Sequence, residues 1–237
     1  MHRLLMLLAA TVSGFVLSLP AHAIYSRTIN VPMSANGQSA IVDGNAIKGI
    51  YLDLLIPASK IPKRDAYGCF VPPIRNRAML ITLSSGHAPI KSTQDLLAQT
   101  DLKIVLVRGF DDGPAYQELI TTLTQQGRLI LEVDALSVAR LLKSGAADAT
   151  IMAPSILAGA LQDDERVHDL LDKLHFEALR ELPWGESGVY LSNTSLNVQG
   201  TAALRTAQER AAKSGVVWKG FQQYYAPAVL NGSIAPL

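Results

Sequence analysis

Residues 102–157, LKIVLVRGFDDGPAYQELITTLTQQGRLILEVDALSVARLLKSGAADATIMAPSIL, decide the fold of this chain. Short apolar runs at 102–107, 129–133 and 148–152 predict three buried strands, because strands covered on both faces read as continuous apolar segments. Between these runs, apolar residues recur at helical spacing. The stretch therefore predicts alternating strands and helices around a parallel sheet, which is the pattern of an α/β fold.

Helix boundary signals support this alternation. Pro114 stands where a first helical residue would, since its missing N–H costs nothing there. Asp134 has the side chain of an N-cap, and Gly145 closes the helix that follows it. The first strand thus leads through a polar turn, residues 108–113, into a helix N-terminus. Free backbone amides and the positive end of the helix dipole suit such a turn to a small, often anionic, ligand.

Several segments then match a family pattern in order. Residues 91–96 (KSTQDL) and 103–109 (KIVLVRG) correspond to "D-L-K-G-K-x-V-G-V-x-x-G", and residues 133–150 correspond to "V-D-S-x-x-E-A-L-x-x-L-x-x-G-R-V-D-A-V". Residues 188–192 and 208–225 match the returning strand and the closing helices. These segments resemble the periplasmic solute-binding proteins of the amino acid type, solute-binding family 3. The resemblance implies a type II, two-lobed α/β fold with mixed sheets flanked by helices.

The first lobe matches over less of its length. Residues 29–31 and 49–55 resemble the family's first strand and its "G-x-x-x-D-L-L" helix start. Residues 56–90 are too few for the helix, strand, helix and hinge strand that the family fits there, so an abbreviated or divergent first lobe is expected. The predicted division is residues 24–88 plus 184–237 for lobe 1 and residues 89–183 for lobe 2.

Residues 1–23 predict a secretory signal peptide. Arg3 gives the positive start, an apolar core follows, and residues 21–23 (AHA) form an A-x-A cleavage site. A membrane anchor is the alternative, but Pro20 ends the apolar run before the ~20 residues that a span needs. We therefore expect a periplasmic product, released after cleavage.

Composition excludes several functions. The chain carries 21 basic and 20 acidic residues and no basic stripe, so no nucleic acid partner is expected. Cys69 is the only cysteine, which rules out an internal disulfide. The sequence contains no G-x-S-x-G, P-loop, G-x-G-x-x-G or H-E-x-x-H motif. We expect no enzyme activity, no cofactor and no metal.

The resemblance implies ligand contacts in two places, and a serine pair is a weaker third candidate. The turn at 108–113 supplies backbone N–H groups and a side chain, unless its arginine is solvated and its aspartates only cap the helix. The segment PPIRNR, residues 72–77, resembles a "T-P-E-R" segment whose arginine grips a carboxylate, although a surface arginine in an irregular loop is equally open. Ser84 and Ser85 follow this segment and could contact a ligand through their hydroxyl groups. The predicted ligand-binding residues are Arg75, Arg77, Ser84, Ser85, Arg108, Gly109, Phe110 and Asp111.

Two departures from the family bear on the ligand. The acidic residue expected shortly after Asp148-Ala149 is absent from residues 150–154, and residues 32–37 contain no aromatic residue. Ordinary amino acid binding is therefore uncertain. We expect a monomer that binds a small polar solute, amino acid-like or an organic acid, for an inner-membrane ABC permease, a sensor or another periplasmic partner.

Two alternatives stay open. One is a degenerate accessory protein that no longer binds a solute. The other is a dehydratase of small acids on the same scaffold, with Asp111, Asp112 or Glu186 as its general acid.

Overall fold

The computed structural model describes residues 41–43, 46–48, 54–60, 62–83 and 88–237. The described strands are β1 (Ile41–Asp43), β2 (Ala46–Lys48), β3 (Leu54–Ser59), β4 (Gly68–Asn76), β5 (Met79–Thr82), β6 (Ile104–Val107), β7 (Leu129–Glu132), β8 (Ala149–Met152), β9 (His175–Glu177), β10 (Gly185–Ser192) and β11 (Ile234–Pro236). The described helices are α1 (Pro62–Asp65), α2 (Thr93–Ala98), α3 (Pro114–Gln125), α4 (Ala135–Ser144), α5 (Pro154–Gln162), α6 (Val198–Lys213), α7 (Val216–Tyr224) and α8 (Pro227–Leu230), with a 3₁₀ helix at His168–Lys173.

A five-stranded mixed sheet forms the core of the second lobe, in the order β7-β6-β8-β5-β9. Strand β6 pairs in parallel with β7 and β8, and β5 pairs antiparallel with β8 and β9. All residues of β6 and β8 are buried. The three strands predicted from the apolar runs are confirmed, and they are the three neighbours that pair in parallel.

Helices cover both faces of this sheet. On one face, Ile104 and Leu106 share a buried cluster with Tyr116 and Leu119 of α3. On the other face, Val105 lies in a second cluster with residues of α4 and α5. Alternate residues of β6 therefore go to opposite sides, as the period of two of a strand requires. Each buried aliphatic side chain contributes about 1.5–3 kcal/mol relative to exposure.

The predicted helix boundaries of this lobe are confirmed. Pro114 begins α3. Ser137 N donates to Asp134 Oδ1 over 2.7 Å, so Asp134 caps α4. Gly145 ends α4 in the left-handed region, with φ 71°. These local signals fix where each helix begins and ends without reference to distant parts of the chain.

The four-stranded sheet has the order β11-β4-β10-β3, and every pair in it is antiparallel. The predicted α/β fold with two sheets flanked by helices is confirmed, but this sheet is not mixed. The reason is that β10 lies between β3 and β4, which run in the same direction, so no two parallel strands are neighbours. Helix α6 packs on one face, where Leu204 contacts the cluster of Val71, Val189 and Leu191.

The predicted helix start at residues 49–55 is wrong where the structure describes it. Leu54 and Leu55 belong to β3, and they pair with Leu191 and Tyr190 of β10. A helix beginning here would meet Pro57 in its interior, where proline breaks the hydrogen-bond ladder. Residues 29–31, 32–37 and 49–53 lie outside the described residues, as does the predicted signal peptide.

The chain passes between the two sheets at residues 77–78. Strand β5, at Met79–Thr82, falls in the predicted first lobe but pairs within the five-stranded sheet. The chain then returns between Glu177 and Gly185. The predicted division into lobes stays a prediction, and β5 argues for moving its first boundary from residue 88 to residue 78. No helix among the described residues is long and apolar enough to cross a membrane.

Candidate functional site

The turn after β6 has a defined backbone shape. Phe110 N donates to Val107 O over 3.3 Å, and Gly109 has φ 84°. A turn closed by this bond with a positive φ at its third residue is of type II, which favours glycine there. Because the turn follows the carboxyl end of a central parallel strand, it lies at the edge of the sheet where ligands of open α/β sheets bind.

The side chains of this turn point in different directions. Arg108 is exposed, and its N–H extends the sheet by donating to Glu132 O over 2.8 Å. Phe110 is half-buried and packs against both hydrophobic clusters of the lobe, so its ring serves the core. Asp111 is exposed, and its Oδ1 accepts from Gly113 N over 3.0 Å. Asp111 thus holds the residue that precedes α3, which agrees with the capping alternative.

Asp112 and Tyr116 lie just behind this turn. Burial, and then the neighbouring Asp111, raise the pKa of Asp112 to about 6. Tyr116 is fully buried, and its hydroxyl has no hydrogen-bond partner in the part of the chain that the structure describes. Burial and the two aspartates raise the pKa of Tyr116, so the phenol stays protonated. The site therefore contains a carboxyl that titrates near neutral pH beside an unpaired hydroxyl.

An arginine from the other lobe approaches the turn. Arg64, on the short helix α1, donates from Nη1 to Ser59 O over 2.9 Å. Burial lowers the pKa of Arg64, and Tyr190 and Asp111 partly oppose that effect. Arg64 is therefore within electrostatic reach of Asp111, although α1 follows a strand of the four-stranded sheet and Asp111 follows a strand of the five-stranded sheet. We call Arg64, Tyr190, Asp111, Asp112 and Tyr116 the polar cluster.

Two aromatic rings lie beside Arg64 on the face of the four-stranded sheet opposite α6. Phe70 and Tyr190 have ring centroids 4.8 Å apart and planes tilted by 46°. Leu55 and Ala58 are buried beside them. Tyr190 is held in place because its hydroxyl donates to Asp65 Oδ1 over 3.0 Å. This pair supplies aromatic surface next to the polar cluster. The sequence did not indicate it, because residues 32–37, where the family carries an aromatic residue, contain none.

The predicted arginines of the PPIRNR segment are engaged elsewhere. Arg77 donates from Nε to Gly232 O over 2.5 Å, and its backbone N–H donates to Ser233 O over 3.0 Å. The guanidinium groups of Arg75 and Arg77 lie 5.8 and 5.1 Å from the ring centroid of Trp184, within cation–π distance. Arg77 thus ties the C-terminal segment to the end of β4. Its role as a carboxylate ligand stays a prediction.

The structure brings together only part of the predicted site. It places Arg108, Gly109, Phe110 and Asp111 in one turn, and Arg75 and Arg77 around one indole, whereas Ser84 and Ser85 lie outside the described residues. The residues of the polar cluster that the sequence did not single out are Arg64, Tyr116 and Tyr190. Tyr116 follows Asp112 by four residues, whereas Arg64 comes near Asp111 only through the packing of distant parts of the chain, which no local motif marks.

No family model matches the sequence, and no curated protein is significantly similar to it. Solved structures are similar in fold. An ancestral arginine-binding protein bound to glutamine has a TM-score of 0.54 and 15% identity, with 73% of this chain and 71% of that chain covered. A histidine kinase sensor domain with similarity to periplasmic binding proteins has a TM-score of 0.52 and 18% identity, with 74% of this chain and 70% of that chain covered.

A third similar structure is AncCDT-1, an ancestral amino acid-binding protein described as a precursor of cyclohexadienyl dehydratase. Its TM-score is 0.53 at 15% identity, with 74% of this chain and 69% of that chain covered. At such low identity these likenesses show the fold alone. The chain has the two-lobed type II fold of periplasmic amino acid-binding proteins.

Proposed function

We propose that this protein captures a small zwitterionic or polar solute between its two lobes in the periplasm. The observation that carries the proposal is the electrostatic interaction of Arg64, on α1 next to β3, with Asp111, in the turn after β6. A basic group beside the four-stranded sheet and an acidic group that follows a strand of the five-stranded sheet provide partners for both ends of an amino acid-like ligand. Closure of the lobes would then enclose the ligand, as a hinge between two sheets permits.

Each part of the polar cluster has a role in this proposal. Arg64 would hold a ligand carboxylate, because a guanidinium donates two parallel hydrogen bonds to that group. Asp111 and Asp112 would accept from an ammonium group, which replaces the missing acidic residue after Asp148-Ala149. Tyr190 would contact the apolar part of the solute. An amine next to Asp112 would favour its ionised form and lower its pKa from about 6.

Delivery of the solute is a further part of the proposal. The signal peptide predicted at residues 1–23 would bring the protein to the periplasm, where solute receptors operate. The similar structures include a substrate-binding protein of an amino acid ABC transporter and a kinase sensor domain, so both an inner-membrane ABC permease and a sensor are candidate recipients.

The test is a calorimetric titration with ligands chosen by a thermal-shift screen of amino acids, organic acids, polyamines and sugars. Arg64→Gln should weaken a carboxylate-bearing ligand on the order of 30-fold or more, because it removes one partner of a desolvated ion pair. Lys91→Ala, at an exposed lysine, is the control and should bind within about twofold of the wild type. Equal losses in the two variants, or no ligand in any class, would overturn the proposal.

A dehydratase of small acids is the second candidate. The pKa of Asp112, raised to about 6, gives a general acid that is partly protonated near neutral pH, and AncCDT-1 is named as a dehydratase precursor. Turnover of hydroxylated cyclic carboxylic acids, followed by the absorbance of the unsaturated product, tests this reading. Asp112→Asn should abolish turnover, and binding of such an acid without any turnover would exclude the dehydratase.

A further inference from the structure

A groove outside the cleft lies between the end of α5 and helix α7. It has a volume of about 450 Å³. Gln162 Nε2 donates to Tyr224 O over 2.9 Å, which holds the two helices together at this point. The volume falls within the range of small-molecule sites. The groove is therefore large enough for a small organic ligand, and none of its lining residues belongs to the polar cluster.

Aromatic rings form much of the groove. Phe221 and Tyr225 are stacked, with ring centroids 5.9 Å apart and an interplanar angle of 25°. A β-carbon added to Gly159 would lie 3.2 Å from the Tyr225 hydroxyl, so the absence of a side chain there leaves room for the phenol. Tyr224 also lines the groove and is 74% exposed. Three rings thus line one small space, and one of them keeps most of its surface in solvent.

A carboxylate also lines the groove. Asp163 ends α5, and no cation pairs with its carboxylate among the residues that the structure describes. The next residue, Asp164, is by contrast bound by Arg166 and lies 3.6 Å from Arg140. Burial, and then Asp163, raise the pKa of Tyr225, which places the negative charge close to the stacked rings. Asp163 is therefore an unneutralised anion beside aromatic faces.

We propose that this groove binds a small ammonium cation that carries apolar groups, such as a quaternary or alkylated amine. Aromatic faces attract cations through the ring quadrupole, and alkylated ammonium groups suit them because they are weakly hydrated. Asp163 adds charge complementarity without being neutralised by a neighbouring arginine or lysine. Gly220 leaves open space on the α7 side, because an added β-carbon would meet nothing within 4 Å. The site is independent of the solute proposed for the cleft.

The experiment is a titration of the purified protein with choline and with its neutral isostere 3,3-dimethyl-1-butanol. Ring proton shifts of Phe221, Tyr224 and Tyr225 report on the groove by NMR. Choline should bind about tenfold more tightly than the alcohol, because only the cation gains from the rings and the carboxylate. Asp163→Asn should weaken choline about fivefold and leave the alcohol unchanged.

Two further variants make the test specific. Tyr224→Ala should weaken choline, whereas Tyr224→Phe should retain its binding, because the ring and not the hydroxyl attracts the cation. Asp172→Asn, at another exposed carboxylate of the lobe, is the matched control and should leave choline binding unchanged. The proposal is overturned if choline does not bind, if the alcohol binds equally well, or if Asp163→Asn and Asp172→Asn have the same effect.

Discussion

Arg128 is the residue whose replacement should most clearly destabilise the second lobe. Its side chain is 7% exposed, and it makes five hydrogen bonds. Four of them end on backbone carbonyls at the end of α2 and in the loop before β6. These bonds go from Nε to Leu102 O (2.8 Å), from Nη1 to Leu97 O (3.2 Å), and from Nη2 to Leu96 O (3.2 Å) and Gln99 O (2.6 Å).

The expected loss of stability follows from the hydrogen bonds that these carbonyls would lose. Two of these carbonyls also accept backbone bonds, Leu96 O from Gln99 N and Gln99 O from Leu102 N, and the guanidinium adds a positive charge at the carbonyl end of the helix dipole. A net hydrogen bond is worth about 0.5–1.5 kcal/mol, so four bonds amount to roughly 4 kcal/mol. Burial lowers the pKa of Arg128, because its charged form loses hydration. This desolvation cost offsets part of the gain from the four hydrogen bonds. We expect Arg128→Ala to lose about 3 kcal/mol.

The assay is equilibrium unfolding in urea, analysed at constant m-value. Arg128→Lys should lose about 2 kcal/mol, since one ammonium cannot reach both carbonyl pairs that the guanidinium spans. Arg210→Ala, at an exposed arginine of α6, is the control and should change stability by less than about 0.5 kcal/mol. If Arg128→Ala unfolds within 1 kcal/mol of that control, on the scale of one ordinary hydrogen bond, the reasoning fails.

Three other predictions concern the strand, the turn and the carboxyl group that surround the cleft. Gly188→Ala should lower the free energy of unfolding in urea by about 2–3 kcal/mol, because the new β-carbon would lie 2.2 Å from Val71 O. In the control Gly185→Ala, the β-carbon lies 3.8 Å from the nearest atom and the change should be tolerated, so equal effects of the two changes would contradict this prediction. Gly109→Val should abolish solute binding, measured by calorimetry, and should lower the free energy of unfolding by about 1–2 kcal/mol, because φ at this residue is 84°. Gly109→Asn should restore most of the stability, and a valine variant that binds normally would disprove the site. Asp112 has its folded pKa raised to about 6 from 3.8, so its ionisation lowers stability as pH rises between these values. Asp112→Asn should be up to about 3 kcal/mol more stable than wild type at pH 7 and equal at pH 3, and a constant difference would refute this.

Most of the second lobe could be predicted from its sequence because its signals are local. Asp134 caps its own helix, Gly145 ends it, and the buried strands consist of short apolar runs. Strand β5 is different, since MLIT becomes a strand only by pairing with β8 and β9 from distant parts of the chain. Arg128 was also unpredictable, because its partners lie some 30 residues away, at the end of another helix.

The four-stranded sheet could be predicted less well for the same physical reason. The leucines of its β3 suit a helix or a strand equally. Pro57 argues against a helix, and pairing with β10 makes the segment a strand. The polar cluster was even harder to predict from the sequence. Arg64 and Asp111 adjoin different sheets, so no spacing within the sequence relates them. The turn around Gly109 could be found because strand, glycine and helix start follow one another.

The two arginine assignments can be compared through the bonds that each side chain already makes. The resemblance to "T-P-E-R" selects Arg77, but Arg77 Nε is bound to Gly232 O and its guanidinium lies 5.1 Å from the Trp184 centroid. A ligand carboxylate would have to share a side chain that holds the C-terminal segment. In Arg64, only Nη1 has a hydrogen-bond partner among the described residues, and burial has already removed part of its hydration, as its lowered pKa indicates. Binding there adds little further desolvation cost and gains a stronger ion pair in a medium of low dielectric constant. On energetic grounds we therefore propose Arg64 as the carboxylate ligand, even though the motif selects Arg77.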